Sequence, residues 1–390
     1  MSKLKILMLN HEYPPIGGGG GYAGRNILRQ FAGRSDIELD VIVSRPQPPT
    51  VTENLADNIT LHRVGVQKKA MQFWTRAEMM RWMARAYRIH KELLRRNHYD
   101  LAHAFFGFPA AALTWRTTSE LPYIISLRGS DVPGVNVRFS LDYKLLAPVF
   151  RRIWRNASAL YACSEGLRQR AQRFMPEAEI HVIPNGVELD RFRPVGNRQK
   201  IEDLRLLTVG RLSVSKRIEL LVSAVELIRK QFPNATLKIA GGGGLEKRLR
   251  RFIKDKGMED CVAVLGIVPA EEMPELYRGS DIFISASAQE GMSNAMLEAM
   301  ASGVPIITTR CEGVQELIAD NGIVVEEADA KSIADAVINL AKDEGAYNAM
   351  CVAARKQAEN FSWQKVAEEY LKHYRNIKSI HSSVAAGADK

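Results

Sequence analysis

Cysteine is scarce in this chain: Cys163, Cys261, Cys311 and Cys351 are the four among 390 residues, with no CxxC pair and no histidine cluster beside them. That excludes the usual zinc spacings and a disulfide framework, and it fits a reducing compartment. Long apolar runs are missing as well. None approaches the roughly 18 residues that cross a bilayer, and the opening MSKLKILMLN is interrupted too soon for a signal peptide. A cytoplasmic protein is expected, at most peripheral on the inner face of a membrane. No Asp-x-Asp pair occurs, so no metal site is expected. No aromatic-basic module of the nucleic-acid readers is recognisable either, and no nucleic-acid partner is expected. Acidic residues are outnumbered, 44 against 54 basic, for a net charge of +10. Such an excess favours anionic ligands or surfaces without naming one.

What is present is ample for two ordinary domains, with 46% hydrophobic and 25% charged residues. Residues 3–10 (KLKILMLN) form an apolar run too short for a helix. After a glycine stretch, Tyr22 to Arg34 reads as helical. Further strand candidates lie at 38–44, 100–106 and 122–127, with helical stretches between them. In the second half they lie at 204–210, 236–240, 262–266, 281–286, 304–308 and 322–326. Regular strand–helix alternation predicts parallel, doubly wound sheets, here two Rossmann-like domains facing across a cleft. Pro184, Asn185, Gly186, Pro194 and Gly196 punctuate HVIPNGVELDRFRPVGNRQK, where the linker is expected. The expected domains are 1–190 and 197–361. A last helix, about 362–380, can pack on either domain, a return to the first included, and the tail after it is expected to fray.

The segment EGMSNAMLE follows the strand candidate DIFISAS, and seven residues separate Glu290 from Glu298. Ser293 suits the N-cap of a helix whose free N–H groups and dipole would face a diphosphate or an electron-rich sugar. Glu298 then lies roughly 8 Å along the axis from Ser293. Two carboxylates at different depths suit hydroxyls at two points of one ligand. In VGRLSVSK, Arg211 and Lys216 follow another strand, where two fixed cations would neutralise a leaving diphosphate. The run Gly17 to Gly21 permits close backbone approach to an anion. HEYPPI separates it from the strand, and no acidic residue ends the next strand, which speaks against a dinucleotide fingerprint.

Taken in order, YPPIGGGGG, SLRGSD, IPNGVELDRFRP, VGRLSVSK and EGMSNAMLEAMASGVPII resemble the retaining glycosyltransferase family four, of GT-B fold, over nearly the whole chain. The resemblance implies a hexose transfer from a nucleotide diphosphate sugar, UDP-sugar ahead of GDP-sugar, to a glycan or lipid-linked acceptor, with no cofactor. It implies Arg211, Lys216 and Glu290 as catalytic. It gives the ribose to Glu298 and the donor sugar to Glu290 with the backbone of Gly291, Met292, Ser293 and Asn294. Gly18 and Gly19 match the family's double glycine. One position departs from the pattern: where many relatives carry a donor-binding His, this chain has Arg128, which cannot shuttle a proton at neutral pH. Arg128 either supports developing negative charge or pairs with Asp131. His103 also matches a family position, although a lone histidine at a strand end is more often structural.

Between Lys68 and Arg96 stand nine Lys or Arg residues against Glu78 and Glu92. As one helix from Met71, this segment would put Arg81, Arg85, Arg88 and Arg96 on one face and Phe73, Ala77, Met80, Ala84 and Tyr87 on another. It is either a packed helix with a solvated edge or a patch resting on anionic lipid. A nucleotide-sugar epimerase of the same architecture and an NAD(P)-dependent oxidoreductase are the rival activities.

Overall fold

The structure, a computed structural model, describes residues 3–71, 73–133, 140–196 and 203–388. The chain divides into two compact units, Met1–Asn185 with Trp363–Lys390, and Gly186–Ser362. Residue 197, where the second domain was expected to start, and the end of the expected linker lie outside the described residues.

The first unit holds an eight-stranded sheet: β1 (Leu4–Asn10), β2 (Ile37–Arg45), β3 (Val51–Ala56), β4 (Ile59–Gly65), β5 (Leu101–Phe105), β6 (Tyr123–Leu127), β7 (Ala159–Ala162) and β8 (Ile180–Val182). Its order is β3-β4-β2-β1-β5-β6-β7-β8. β5 and β6 are buried along their whole length and β1 along nearly all of it, as strands covered on both faces must be. The sheet is not wholly parallel. β3 and β4 form an antiparallel hairpin, and β3 is an exposed edge strand. The first helix runs Gly19–Phe31, three residues ahead of its expected start. Its glycines sit where side chains do not fit: a Cβ on Gly20 would lie 2.5 Å from the Phe106 ring.

The last helix, Trp363–Ala388, belongs to this first unit and includes most of the tail expected to fray. Trp363, Val366, Tyr370, Leu371, Tyr374 and Ile377 join the core of β1, β2 and the first helix. A buried polar chain sets its register. His103 contacts the Tyr374 hydroxyl through Nδ1 and the Ser126 hydroxyl through Nε2, both at 2.7 Å, and Ser126 meets the Tyr370 hydroxyl at 2.9 Å. Burial, with the Arg128 charge nearby, lowers the His103 pKa to about 3, so the ring is neutral and offers one donor and one acceptor.

The second unit holds six parallel strands, β9 (Arg205–Val209), β10 (Thr236–Ala240), β11 (Val262–Gly266), β12 (Ile282–Ser285), β13 (Ile306–Thr309) and β14 (Gly322–Val325). Their order is β11-β10-β9-β12-β13-β14. Chain direction across this sheet reverses between β9 and β12. In open parallel sheets the crevice beyond the strand ends at such a reversal is where ligands bind.

Candidate functional site

One of the expected phosphate cations, Lys216, meets the first glutamate at that reversal. Arg211 and Lys216 follow β9, and Glu290 follows β12. The turn Val214–Lys216 is held to the opposite loop by the Ala288 N–H, which donates to the Ser215 carbonyl at 2.8 Å. Lys216 Nζ bonds Glu290 Oε1, which also accepts from Ser287 Oγ at 3.0 Å. Sequence spacing could not show this pair, whose members stand 74 residues apart. Arg211 lies exposed just beyond Gly210. The glycine loop at 241–244 packs against this same segment: a Cβ on Gly241, whose φ is +136°, would lie 1.9 Å from the Gly210 carbonyl oxygen. Glycine is required there for a backbone-to-backbone approach.

From Glu290 the chain turns through Gly291 and Met292 into the helix Asn294–Ala301, where Ser293 Oγ caps the start by accepting from the Met296 N–H at 3.3 Å. This helix carries Glu298 on its partly buried side. Glu298 Oε2 accepts from the Tyr277 hydroxyl at 2.9 Å. Desolvation raises the Glu298 pKa to about 7, against the lowering effects of the Tyr277 bond and the Arg191 charge. Glu298 therefore titrates near neutrality. Tyr277 was not anticipated, and its position in MPELYR carries no signal for it. The Glu312 carboxylate, close to the Glu290 N–H at 3.4 Å, was likewise not foreseen. Among the described residues no group of three or more His, Cys, Asp or Glu is placed to hold a metal ion.

The other expected residues lie in the first unit. Its sheet reverses between β1 and β5, and Gly18 and Gly19 follow β1 at the start of the first helix. Glu12 Oε2 accepts from the Gly18 N–H at 3.1 Å. Arg128 follows β6, with its guanidinium 4.4 Å over the Phe105 ring and donating to Asn185 Oδ1 at 2.8 Å. Asp131 instead accepts the backbone N–H groups of Arg128 (2.9 Å) and Gly107 (2.6 Å). Of the two readings of Arg128, pairing with Asp131 is met through its backbone N–H, while its guanidinium donates to Asn185.

The basic segment differs more. Its helix is Arg76–Arg96, opened by a capping box in which Thr75 and Glu78 satisfy each other's backbone N–H groups. The buried face is Trp82, Ala86, His90 and Leu93, not the expected apolar stripe. Met80 is 61% exposed and Phe73 41%. Lys68 is buried against Glu78 at 2.9 Å and lies 4.1 Å over the Trp74 ring. Arg81 donates to the Val66 carbonyl at 2.7 Å, and Arg85 to the Gly65 carbonyl. Those three charges serve the fold; Lys69, Arg76 and Arg88 are exposed, as are Lys91, Arg95 and Arg96. Among the described residues no helix is long and apolar enough to cross a membrane.

Comparison with known proteins bears on family and fold. Residues 17–191 match the profile described as Glycosyltransferase Family 4, and residues 203–343 match Glycosyl transferases group 1. An uncharacterized glycosyltransferase of Methanocaldococcus jannaschii is 27% identical over 394 residues, covering 95% of this chain and 98% of that one. A GDP-mannose-dependent alpha-(1-6)-phosphatidylinositol monomannoside mannosyltransferase of Mycolicibacterium smegmatis is 32% identical over 55% of this chain; the match spans 61% of that protein. Among solved structures, Anabaena HepE in complex with UDP and glucose is 19% identical, with a TM-score of 0.72 over 96% of this chain and all of that one. That last likeness concerns the fold, two Rossmann-like domains of the GT-B kind.

Proposed function

Because the chain belongs to the group 1, family four glycosyltransferases, we propose that it transfers a hexose from a nucleoside diphosphate sugar to an acceptor hydroxyl with retention of configuration. The observation that carries this reading is the meeting of Lys216 and Glu290 at the strand reversal, beside the N-terminus of the helix that bears Glu298. Arg211, Lys216 and the Ser293-capped helix neutralise the diphosphate as it leaves. Glu298 accepts from the ribose hydroxyls, and Glu290 with the Gly291–Asn294 backbone orients the sugar. Donor arrival gives Lys216 a phosphate in place of Glu290 and so frees Glu290 for sugar hydroxyls. The departing phosphate oxygen takes the acceptor proton on the face it leaves, so no side chain forms a covalent intermediate. No divalent ion is needed, since two side-chain cations already face the leaving group; EDTA should leave the rate unchanged.

The donor nucleoside is uridine in this reading, in keeping with the UDP complex of the HepE neighbour; the mannosyltransferase relative makes guanosine the alternative. The acceptor is a glycan or lipid-linked glycan taken by the first unit. Lys69, Arg76 and Arg88, with exposed Met71, Phe73 and Met80, bring that unit to an anionic membrane. A thermal-shift panel of UDP, GDP and ADP sugars tests the donor, because a ligand that binds the folded state raises its melting temperature. Free nucleotide released only when acceptor is added supports transfer; release without acceptor, or conversion of the donor sugar alone, overturns it. Glu298→Ala should weaken donor binding, and the anomeric configuration of the product, read by NMR, tests retention.

A further inference from the structure

Among the described residues, Gln67, Phe106 and Arg217 have a positive φ without being glycine. An L residue enters the left-handed region against its own Cβ, and it stays there where the surroundings over-determine it. Arg217 (φ 46°, ψ 43°) closes the Val214–Lys216 turn and is also the N-cap residue of the helix Ile218–Ile228. Its side chain makes no cap bond to that helix. It turns instead to the strand ends. Nε donates to the Ala286 carbonyl at 2.6 Å, and Nη2 donates to Thr309 Oγ1 at 3.2 Å; the Thr309 hydroxyl in turn donates to the Ser287 carbonyl at 3.1 Å. Ala286 follows β12 directly, and Thr309 ends β13. One guanidinium from the residue next to Lys216 thus fastens the strand end from which the Glu290 loop departs.

We infer that Arg217 is a positioning residue, which holds Lys216 and Glu290 in register by clamping their two loops together; its catalytic consequence rests on the role proposed for Lys216. Glycine adopts this backbone conformation without steric cost, so the turn itself does not require arginine. The clamp does. A planar fork reaches a carbonyl and a hydroxyl at fixed angles, which a single ammonium cannot reproduce.

Arg217→Gly separates the two roles, since it suits the backbone and deletes the clamp, and Arg217→Lys keeps the charge alone. The ligand-free crystal structure of R217G should show a melting-competent, intact fold with Lys216 Nζ out of hydrogen-bond reach of Glu290. An unchanged Lys216–Glu290 contact would overturn the inference. A double-mutant cycle supplies the second readout, with UDP and GDP titrated separately. R217G should weaken the better-bound nucleotide about tenfold, and less than about twofold when Lys216 is already alanine, because the effect runs through Lys216. R217K should not restore the affinity. Equal losses in both backgrounds sink the positioning role. If neither nucleotide binds the wild-type protein, the functional reading falls, and the crystal comparison alone decides whether Arg217 holds Lys216 and Glu290 together.

Discussion

In the first unit His11, His90 and His103 lie in the core, and burial keeps their imidazoles neutral, with pKa values lowered to about 3, 4 and 3. In the second unit the buried group of note is the Glu298 carboxyl, whose pKa is raised to about 7. The histidines are enclosed in packing: His11 lies between the Trp74, Trp82 and Phe106 rings, His90 meets Thr117 Oγ1 at 2.8 Å, and His103 ties down the last helix. Glu298 stands on the helix that follows the Glu290 loop, with the Tyr277 hydroxyl on its carboxylate and the Arg191 charge nearby. The same physical cause, loss of water around an ionisable group, thus fixes a fold in one unit and tunes a site in the other.

The sharpest break of this comparison is kinetic. Arg211→Ala or Lys216→Ala should lower turnover by roughly two or more orders of magnitude, as loss of an electrostatic stabiliser does, while the melting of the first unit is unchanged. Steady-state rates with the best donor check it, and near-normal transfer removes both residues from the site. The converse change is His103→Leu, which takes from the buried Tyr374 hydroxyl the partner the structure gives it, while Ser126 keeps the Tyr370 hydroxyl. A buried group left unsatisfied costs about 1–3 kcal/mol. Amide exchange should rise across β5, β6 and the last helix, with nucleotide affinity intact.

Acid should separate the units by sign. Between about pH 6.5 and 3 the unfolded chain binds protons that the buried histidines refuse, so the first unit loses stability as pH falls through that window. Glu298 works the other way. Its folded pKa lies above the ordinary carboxylate value, so its contribution is fully present below about 4.5 and is lost as pH rises through about 7. Hydrogen exchange mapped by residue at pH 5 and pH 7 should therefore move the two regions in opposite directions, and parallel movement would contradict the assignment.

A smaller effect is expected from Tyr277→Phe. The hydroxyl of Tyr277 donates to Glu298 and lowers its pKa against desolvation, so its removal should shift the midpoint of the pH profile for nucleotide binding upward. An unmoved midpoint would separate Glu298 from that profile. The smallest effect concerns the surface. Each basic residue near an anionic bilayer contributes about 1 kcal/mol, so changing Lys69, Arg76 and Arg88 to Gln should reduce vesicle flotation, whereas Arg81→Gln should act on stability instead. Equal flotation of wild type and triple variant removes the membrane from the account.

All six strands of the second unit were readable in sequence, because each is a short, mostly apolar run bounded by turns and covered by helices. The first unit was readable in its central strands only. The β3–β4 hairpin was missed although Asp57 and Asn58 sit between two alternating stretches, and Ala159–Ala162 and Ile180–Val182 are too short to stand out. The Arg76–Arg96 helix shows why a periodic stripe misleads: Trp82, Ala86, His90 and Leu93 repeat as regularly as the apolar face that proved exposed. Glu290, Glu298 and the two loop cations were visible as motifs. Tyr277, the partner of Glu298, and Arg217, which reaches Ala286 and Thr309, were not, since contacts between separate segments leave no local pattern.

The return of Trp363–Ala388 to the first unit also has a consequence for synthesis. A ribosome makes the whole second unit before it makes the segment that completes the first. Through that interval the groove that receives Trp363, Tyr370 and Tyr374 stays open to water, and the Ser126 and His103 polar atoms wait for hydroxyls not yet translated. The vectorial order of the chain thus leaves the domain that begins first to finish last, and makes the nascent first domain the place where a chaperone would have something to hold.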